Sequence, residues 1–210
     1  MLKEMLIKII SEFQNSRSQS FKNHPMANYI RDDTKKIIKK ELGEDYSDYI
    51  IDASPGLGQW SHNAWINIMH PQITTTARKG YYPVYLFSDD SETILFELGQ
   101  GYTEVRNKYG AEISKQLFQT RAKIMRSKLP ELSQNFKKDL SSVSLRPNDP
   151  VKERWVTSGA FGKWYKVNNM PSNEELVDDL KQMISLYEKL IDLKGWTVED
   201  EVEIDQEIDE

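Results

Sequence analysis

The fold is decided by residues 54–101, which read SPGLGQWSHNAWINIMHPQITTTARKGYYPVYLFSDDSETILFELGQG. This stretch contains, in order, a glycine loop (54–60), an apolar run (64–69), a basic and hydroxyl-rich connection (74–80), and two β-rich segments (81–87 and 93–98) joined by a turn (88–91). Aromatic and β-branched residues bounded by turn residues are typical of strands, so the two β-rich segments are predicted to form a hairpin.

The segment Tyr81 to Phe87 alternates in a way that has a consequence for function. In a strand, Tyr82, Val84 and Leu86 lie on one face, while Tyr81, Pro83, Tyr85 and Phe87 lie on the other. Apolar side chains on both faces indicate a strand that packs against other parts of the protein on both faces. Proline cannot donate to a β-ladder, which predicts an edge or a bulge at Pro83. Three tyrosine hydroxyls need partners or solvent, so one face has room for a pocket lined by rings.

The flanking regions read mainly as helices. Apolar residues at helical spacing predict a first helix ending near Asn15, and a second, basic helix is predicted from Asp33 to Leu42. Further helices are predicted at Ala111–Leu129, with Ile113, Leu117 and Ile124 inward, at Glu131–Leu140, and from the capping box Ser172–Glu175 to Gly195. Strands are predicted at Tyr49–Ala53 and as a short hairpin within Trp155–Val167.

These elements predict an α+β fold. A mixed, mostly antiparallel central sheet is expected, flanked by N-terminal, middle and C-terminal helices. One domain is predicted over residues 1–196. Residues 197–210 are acidic with few apolar positions, which is typical of a tail or linker.

Composition narrows the class of protein. The chain has 210 residues, of which 38% are hydrophobic and 29% charged, as in a soluble globular domain. No apolar run approaches the roughly 18 residues that predict a membrane span. The chain has no cysteine, which excludes disulfides, thiolate metal sites and a cysteine nucleophile. The absence of a signal-peptide pattern favours a cytoplasmic location.

The charge is distributed unevenly along the chain. The net charge is −5, but residues 104–166 carry 14 Lys and Arg against 6 Asp and Glu, a net of +8. Residues 171–210 carry 3 against 14, a net of −11. A basic middle permits a polyanion-binding face. The alternative interpretation is an ordinary solvated helical surface.

No catalytic set is present in the sequence. It lacks a Walker A motif and a nucleophile elbow, and a lone GxG at Gly56 and Gly58 is weak evidence of nucleotide binding. The three histidines lack metal-site spacing. A nuclease of the Asp…Glu-x-Lys kind would have a lysine two residues after its strand carboxylate, whereas Glu97 is followed by Leu98 and Gly99. We therefore expect no catalytic residue, no metal and no cofactor.

Several separate segments together resemble a known family. The first helix running into Arg17-Ser18-Gln19-Ser20, the loop SPGLGQW (54–60) with Ala64-Trp65, the strand GYYPVYLF (80–87), and FGKWY (161–165) with the final helix are the matching pieces. The chain resembles the MrcB-like N-terminal domain family, including the DNA-binding N-terminal domain of the McrB subunit of modification-dependent restriction systems. The resemblance covers most of the chain and stops before the acidic tail.

The resemblance implies a non-catalytic reader of modified cytosine, 5-methylcytosine or a similar base, which it would flip out of double-stranded DNA. By position, the base pocket would be lined by Trp65, Tyr82, Leu86 and Phe161. The wedge loop would comprise Ser54, Gly56, Leu57, Gly58, Gln59 and Trp60, with Leu57 at its tip where the best-known member has a tyrosine. Phosphate contacts would come from Arg17, Ser18, Gln19, Ser20, Lys22, Arg78 and Lys79. The family also implies an attached or partner NTPase or nuclease module.

Elementary chemistry agrees with this interpretation. A flipped base needs flat apolar walls and a few polar groups for its pairing edge. An apolar loop residue can fill the vacated place in the stack, and helix-borne Lys and Arg supply sequence-independent phosphate affinity. Two alternatives stay open: a nuclease or base-processing domain that uses the same pocket, and a protein-interaction adaptor. Taken one at a time, the aromatic residues could also be simple core, and Arg17–Ser20 a polar helix end.

Overall fold

A five-stranded sheet in strict chain order forms the centre of the fold. In the computed structural model, which describes residues 1–129, 135–148 and 159–193, the strands are β1 (Ile50–Ser54), β2 (Trp65–Met69), β3 (Tyr81–Phe87), β4 (Thr93–Gln100) and β5 (Gly162–Lys166). Every pairing between these strands is antiparallel. The predicted α+β class is confirmed, and the described sheet is a pure meander instead of a mixed sheet.

The helices of the described chain are α1 (Leu2–Ser16), α2 (Pro25–Asn28), α3 (Thr34–Leu42), α4 (Tyr102–Ser127) and α5 (Asn173–Ile191). A π-helical turn, Tyr29–Asp33, joins α2 to α3. The predicted capping box opens α5: the Ser172 hydroxyl accepts from the Glu175 N–H, and the Glu175 carboxylate accepts from the Ser172 N–H. Gly195, the predicted end of this helix, lies outside the described residues.

One face of the sheet packs against a layer of helices. Tyr85 of β3 is fully buried and stacks on Phe96 of β4 at 4.0 Å. Tyr187 of α5 donates its hydroxyl hydrogen to the backbone carbonyl of Tyr81 and packs edge-on against that ring. The apolar stripe of α1 is buried below this face at 0–1% exposure; it comprises Leu2, Met5, Leu6, Ile9, Ile10 and Phe13. The opposite face of β3 carries Tyr82, Val84 and Leu86, which are 4–5% exposed.

Pro83 lies in the middle strand of the sheet, so the predicted edge position was wrong. The strand tolerates proline there for a local reason. Phe87 donates its N–H to Ala64, next to β2, and alternation turns the nitrogen of Pro83 toward the same side. The β2–β3 register ends at the pair Asn67↔Val84, so it does not reach Pro83. The donor that proline lacks is therefore not needed.

The middle helix differs from the prediction at its start. It begins at Tyr102, and Gly110 interrupts it with a φ of 79°. The helical part after Gly110 starts where the helix was predicted, at residue 111. Within it Ser114 is fully buried and its hydroxyl donates to the Gly110 carbonyl, whereas Ile113 is 49% exposed. The expectation that Ile113 faces inward was wrong, although Leu117 is buried as predicted.

The helix predicted over Glu131–Leu140 was wrong where it can be checked. Residues 135–140 are not helical, and Lys137 forms an isolated antiparallel bridge with Gly162 on the outer edge of β5. The first arm of the hairpin predicted within Trp155–Val167 would fall on residues 155–158, outside the described residues. The acidic tail, 197–210, also lies outside them. No helix of the described chain combines the length and apolar character needed to cross a membrane.

Candidate nucleic-acid interface

A cavity of about 200 Å³ opens on the face of the sheet away from α1 and α5. Its walls come from β2, β3 and β4, from the loop before β3, and from the first turn of α4. It is lined by Trp65, Asn67, Ala77, Arg78, Tyr82, Val84, Leu86, Glu97, Gly99, Gln100 and Thr103. Three of the four residues predicted for the base pocket therefore lie together in one cavity.

Register and alternation explain why these three meet. Trp65 of β2 stands opposite Leu86 of β3, and Tyr82, four residues before Leu86, lies on the same face of β3. Trp65 is half-buried, while Tyr82 and Leu86 are buried. The Tyr82 hydroxyl donates to the Ala77 carbonyl at 2.7 Å, which fixes the ring in the wall. Burial, with a smaller effect of the nearby Glu97, raises the pKa of Tyr82 above its ordinary value.

Phe161, the fourth residue predicted for the pocket, does not line the cavity. It is fully buried, and its ring packs edge-on against Phe136 at 6.0 Å. Its neighbour Gly162 stands opposite Glu97 on the cavity face, so alternation turns the Phe161 ring away from the cavity. Contact between Phe161 and a base would require this core to open.

The cavity also contains polar groups that the prediction did not include. Asn67 and Glu97 are 2% and 1% exposed, and both line the cavity. Burial raises the pKa of the Glu97 carboxyl to about 8, so the group is largely protonated at neutral pH. The sequence feature that could have predicted this group is the single Glu within the apolar run ILFELG. Burying a polar residue in a strand that is covered on both faces costs free energy unless the residue is hydrogen-bonded, so such a residue suggests a function.

The glycine loop projects a bare hydrophobic side chain. Leu57 is 96% exposed, the highest value among the exposed large hydrophobic residues. The φ angles of Gly56 and Gly58 are 129° and 71°, which favour glycine. A Cβ on Gly56 would lie 2.0 Å from the Gln59 carbonyl oxygen, and the Ser61 N–H closes the loop on Pro55 at 2.8 Å. The loop is thus held in a defined shape with Leu57 at its tip.

Trp60, predicted as part of the wedge loop, anchors that loop. Its indole N–H donates to the Gln19 carbonyl at 2.8 Å. Its ring packs edge-on against three others, those of Phe13, Phe21 and His24. Because Ser54 pairs with Trp65, the loop leaves the sheet at the same end as the Trp65–Leu86 pair. Leu57 therefore projects from the end of the sheet at which Trp65 and Leu86 form one wall of the cavity.

The predicted phosphate contacts separate into two groups. Arg17 to Lys22 lie beside the glycine loop, where Ser20 and Lys22 are exposed. The Arg17 guanidinium donates to Gln14 at 2.7 Å and lies 3.4 Å from His62, so it supports the base of the loop. Arg78 lies at the mouth of the cavity, at the opposite end of the sheet, and Lys79 beside it is exposed.

Asn63 ties the glycine loop to the rest of the fold and was not predicted. It is buried, and its amide donates to the carbonyls of Phe87 and Leu145 at 2.7 and 3.1 Å. The Arg146 guanidinium donates to the Asn63 side-chain oxygen at 2.8 Å. An Asn after Trp-Ser-His carries no sequence signal for this role, because its partners come from distant segments.

The basic middle of the chain is partly exposed and partly structural. Lys115 and Lys123 of α4 are exposed. Arg126 instead donates to the Ala160 carbonyl at 2.7 Å, and burial lowers the pKa of its guanidinium. Across residues 1–129, 135–148 and 159–193, no cluster of three or more His, Asp or Glu side chains is arranged to hold a metal ion.

Comparison with known proteins identifies a family. A sequence model of the family described as MrcB-like, N-terminal domain, matches residues 8–192, most of the chain. No curated protein matches the chain.

Proposed function

The chain belongs to the MrcB-like N-terminal domain family, and from this premise we propose that it is a non-catalytic DNA-binding domain that reads modified cytosine. It would bind the duplex in the cytoplasm, extrude 5-methylcytosine or a similar base, and hold that base in the cavity on the sheet. One observation carries this proposal: a cavity walled by Trp65, Tyr82 and Leu86 lies on the sheet whose loop presents the bare side chain of Leu57.

The size of the cavity supports a single-ring base. An apolar protein cavity of about 150 Å³ accommodates benzene. The cavity here measures about 200 Å³, which leaves room for one pyrimidine ring with a small substituent. The walls offer an indole, a phenol ring and an aliphatic side chain, and stacking on such surfaces recognises any base by its flat face. Polar atoms of Asn67 and Glu97 are available for the base edge.

The exposed Leu57 supports the flipping step. An extruded base leaves a gap in the stack, and an apolar side chain inserted there replaces part of the lost stacking. Such a wedge must be rigid, because an ordered loop does not lose further conformational freedom on binding. Gly56, Ser61 and Trp60 supply that rigidity through the contacts described above.

Phosphate affinity would come from exposed cations that make no base contact. Arg78 at the cavity mouth, Lys22 beside the glycine loop, and Lys115 and Lys123 on α4 are the candidates. Binding that depends on such contacts is independent of sequence and weakens with salt. In the complete restriction system, an attached or partner NTPase or nuclease module would supply the cleavage, and this domain the binding.

A binding panel tests the proposal. Duplexes carrying cytosine, 5-methylcytosine, 5-hydroxymethylcytosine or N4-methylcytosine at one site are titrated with the full chain, and 2-aminopurine beside that site reports unstacking. We expect preference for one modified duplex and a rise in fluorescence. The variant Gly99→Ala is a sharp control, because its Cβ would lie 2.8 Å from Val84 Cγ1 and reduce the cavity without altering an aromatic wall. It should lose the preference and keep non-specific binding.

The same samples separate the two other candidate functions. Cleavage of the labelled duplex after addition of Mg²⁺ would indicate a nuclease. Failure to bind any duplex, even at low salt, would favour a protein-interaction adaptor. Binding without preference and without a fluorescence rise would reject base flipping while leaving DNA binding intact.

A further inference from the structure

The carboxyl group of Glu97 is buried, and one of its oxygens has no hydrogen-bond partner among the described residues. Glu97 lies on β4 opposite Val84, and its side chain is 1% exposed. The oxygen without a partner among the described residues is Oε2. An unpaired buried polar atom costs free energy, so a natural protein keeps one where it serves a purpose. No described cation forms a salt bridge with it, in contrast to Asp179, which pairs with Lys163 at 2.8 Å.

Glycines keep space around the Glu97 carboxyl. A Cβ on Gly159 would lie 2.1 Å from Oε2, and a Cβ on Gly99 would lie 3.2 Å from Oε1. Gly99 lines the cavity, so Oε1 lies on the cavity side of the carboxyl. A third glycine, Gly162, stands opposite Glu97 in the β4–β5 pair. The backbone is thus shaped around this carboxyl, and one of its oxygens faces the space in which a base would sit.

The neighbouring groups leave the carboxyl neutral. Tyr82 on β3 and Asp52 on β1 share this face of the sheet, and neither is a cation. Arg126 of α4 directs its guanidinium to the Ala160 carbonyl, and Arg78 lies at the cavity mouth. With burial as its dominant influence, the carboxyl of Glu97 keeps its proton at neutral pH. A protonated carboxyl offers one donor and one acceptor side by side.

We propose that Glu97 reads the pairing edge of the extruded base: its O–H donates to ring N3 of the cytosine, and its other oxygen accepts from the N4 amino group. This inference rests on the function proposed above and adds to it the residue that recognises the base. Oε1 already lies on the cavity side, and a turn about the last side-chain bond would bring Oε2, which lies beside Gly159 without a partner among the described residues, to the same edge of the base. An ionised carboxylate would place a lone pair against N3, which also carries one, so only the neutral acid fits both positions.

Two variants separate hydrogen bonding from packing. Glu97→Gln keeps one donor and one acceptor at nearly the same positions. Glu97→Met has a similar length and no strong hydrogen-bonding group. Each is titrated at pH 7 with a duplex carrying 5-methylcytosine and with one carrying 5-methyl-2-pyrimidinone, which lacks the N4 amino group. The same pair of duplexes with wild type completes a double-mutant cycle.

The expected result is a coupling between Glu97 and the amino group. The cycle cancels the weaker pairing of the pyrimidinone, which lowers the cost of flipping it. The ratio of affinity for the 5-methylcytosine duplex to affinity for the pyrimidinone duplex should be about tenfold larger for wild type and for Glu97→Gln than for Glu97→Met, as loss of a buried hydrogen bond predicts. Glu97→Met should bind the 5-methylcytosine duplex about tenfold more weakly than wild type does. It should also melt at a higher temperature than wild type, because its substitution removes an unpaired buried acid.

The outcomes distinguish this inference from the function on which it rests. If 2-aminopurine shows flipping with wild type but the cycle is additive, Glu97 does not read the amino group and only this inference is overturned. If wild type produces no flipping signal with either duplex, the proposed function fails and the inference fails with it. A Glu97→Met protein that loses stability and all DNA binding together would assign Glu97 a purely structural role.

Discussion

Trp60 donates its indole N–H to the backbone carbonyl of Gln19 at 2.8 Å, and this bond joins two segments that sequence analysis treated as separate. The glycine loop and the polar segment after α1 are thereby parts of one structure. Edge contacts from Phe13 and Phe21 surround the indole. The tip residue Leu57 is held out in solvent because Trp60, three residues later, is fixed to the fold.

The first prediction concerns this anchor. Trp60→Phe keeps an aromatic ring and removes the hydrogen bond to Gln19, so we expect a loss of about 1 kcal/mol in the free energy of unfolding. Trp60→Ala also removes the ring contacts and should cost more. Urea unfolding followed by circular dichroism measures both. Equal stability of Trp60→Phe and wild type would show that the bond contributes nothing to the fold.

The second prediction concerns the tip of the loop. Leu57 is 96% exposed, so Leu57→Ala should change the free energy of unfolding by no more than about 0.5 kcal/mol. A shorter side chain cannot fill the gap that an extruded base leaves. The 2-aminopurine signal at the modified site should therefore fall, while binding to unmodified duplex stays the same. A Leu57→Ala protein with undiminished flipping would remove Leu57 as the wedge.

The third prediction concerns the wall of the cavity. Stacking of a base on an aromatic ring contributes about 1–3 kcal/mol by alanine substitution, so Trp65→Ala should cost one to two decades of affinity for the modified site. Non-specific binding should persist because it depends on phosphates. Trp164 of β5 is a matched control: it is also half-buried, it stands opposite Leu95 on the same face of the sheet, and it does not line the cavity. Equal effects of Trp65→Ala and Trp164→Ala would point to general destabilisation.

How much of the cavity could be predicted depended on local patterns. Alternation along β3 sets Tyr82 and Leu86 on one face, and this can be read directly from GYYPVYLF. Glu97 joins them because the β3–β4 register places it opposite Val84. That register is fixed by the turn at residues 88–92, where the Ser88 N–H donates to Thr93, and the turn signal alone does not specify the pairing residue by residue.

Phe161 shows the opposite case. The motif FGKWY was used to assign Phe161 to the pocket, yet its ring faces the core because Gly162 takes the position opposite Glu97. The ring that receives it, Phe136, belongs to a segment for which a helix was predicted and whose described part forms an isolated bridge with β5 at Lys137. Long-range pairing overrode the local helical pattern there, and no single-sequence argument contains that partner.

The fourth prediction concerns phosphate contacts. If α4 faces the duplex, affinity should fall steeply between roughly 50 and 200 mM salt, and Lys115→Glu with Lys123→Glu should weaken modified and unmodified duplexes alike. Lys39→Glu with Lys40→Glu is the control, because α3 packs among α1, α5 and β1 and its lysines are also exposed. Equal losses in the two double variants would reflect net charge alone and would move the DNA-binding face away from α4.

The last prediction concerns pH. The ordinary pKa of a glutamate is 4.5, and burial raises that of Glu97 to about 8, so the folded protein binds this proton more tightly than the unfolded chain does. Stability falls with pH wherever the folded state holds more protons, so this group should lower the free energy of unfolding by roughly 1.4 kcal/mol per pH unit between these two pKa values.

Glu97→Gln isolates that contribution, because its amide fills the same space and does not ionise. The free energy of unfolding of both proteins is measured with urea at pH 5, 6, 7 and 8. Every other titrating group should affect the two proteins equally, so the difference between their free energies of unfolding isolates the contribution of Glu97. We expect Glu97→Gln to gain on wild type steadily as the pH rises, with little further gain above pH 8. A difference that does not change with pH would mean that the Glu97 carboxyl is ionised or solvated in the folded protein, and the cavity would then present a negative charge to an incoming base.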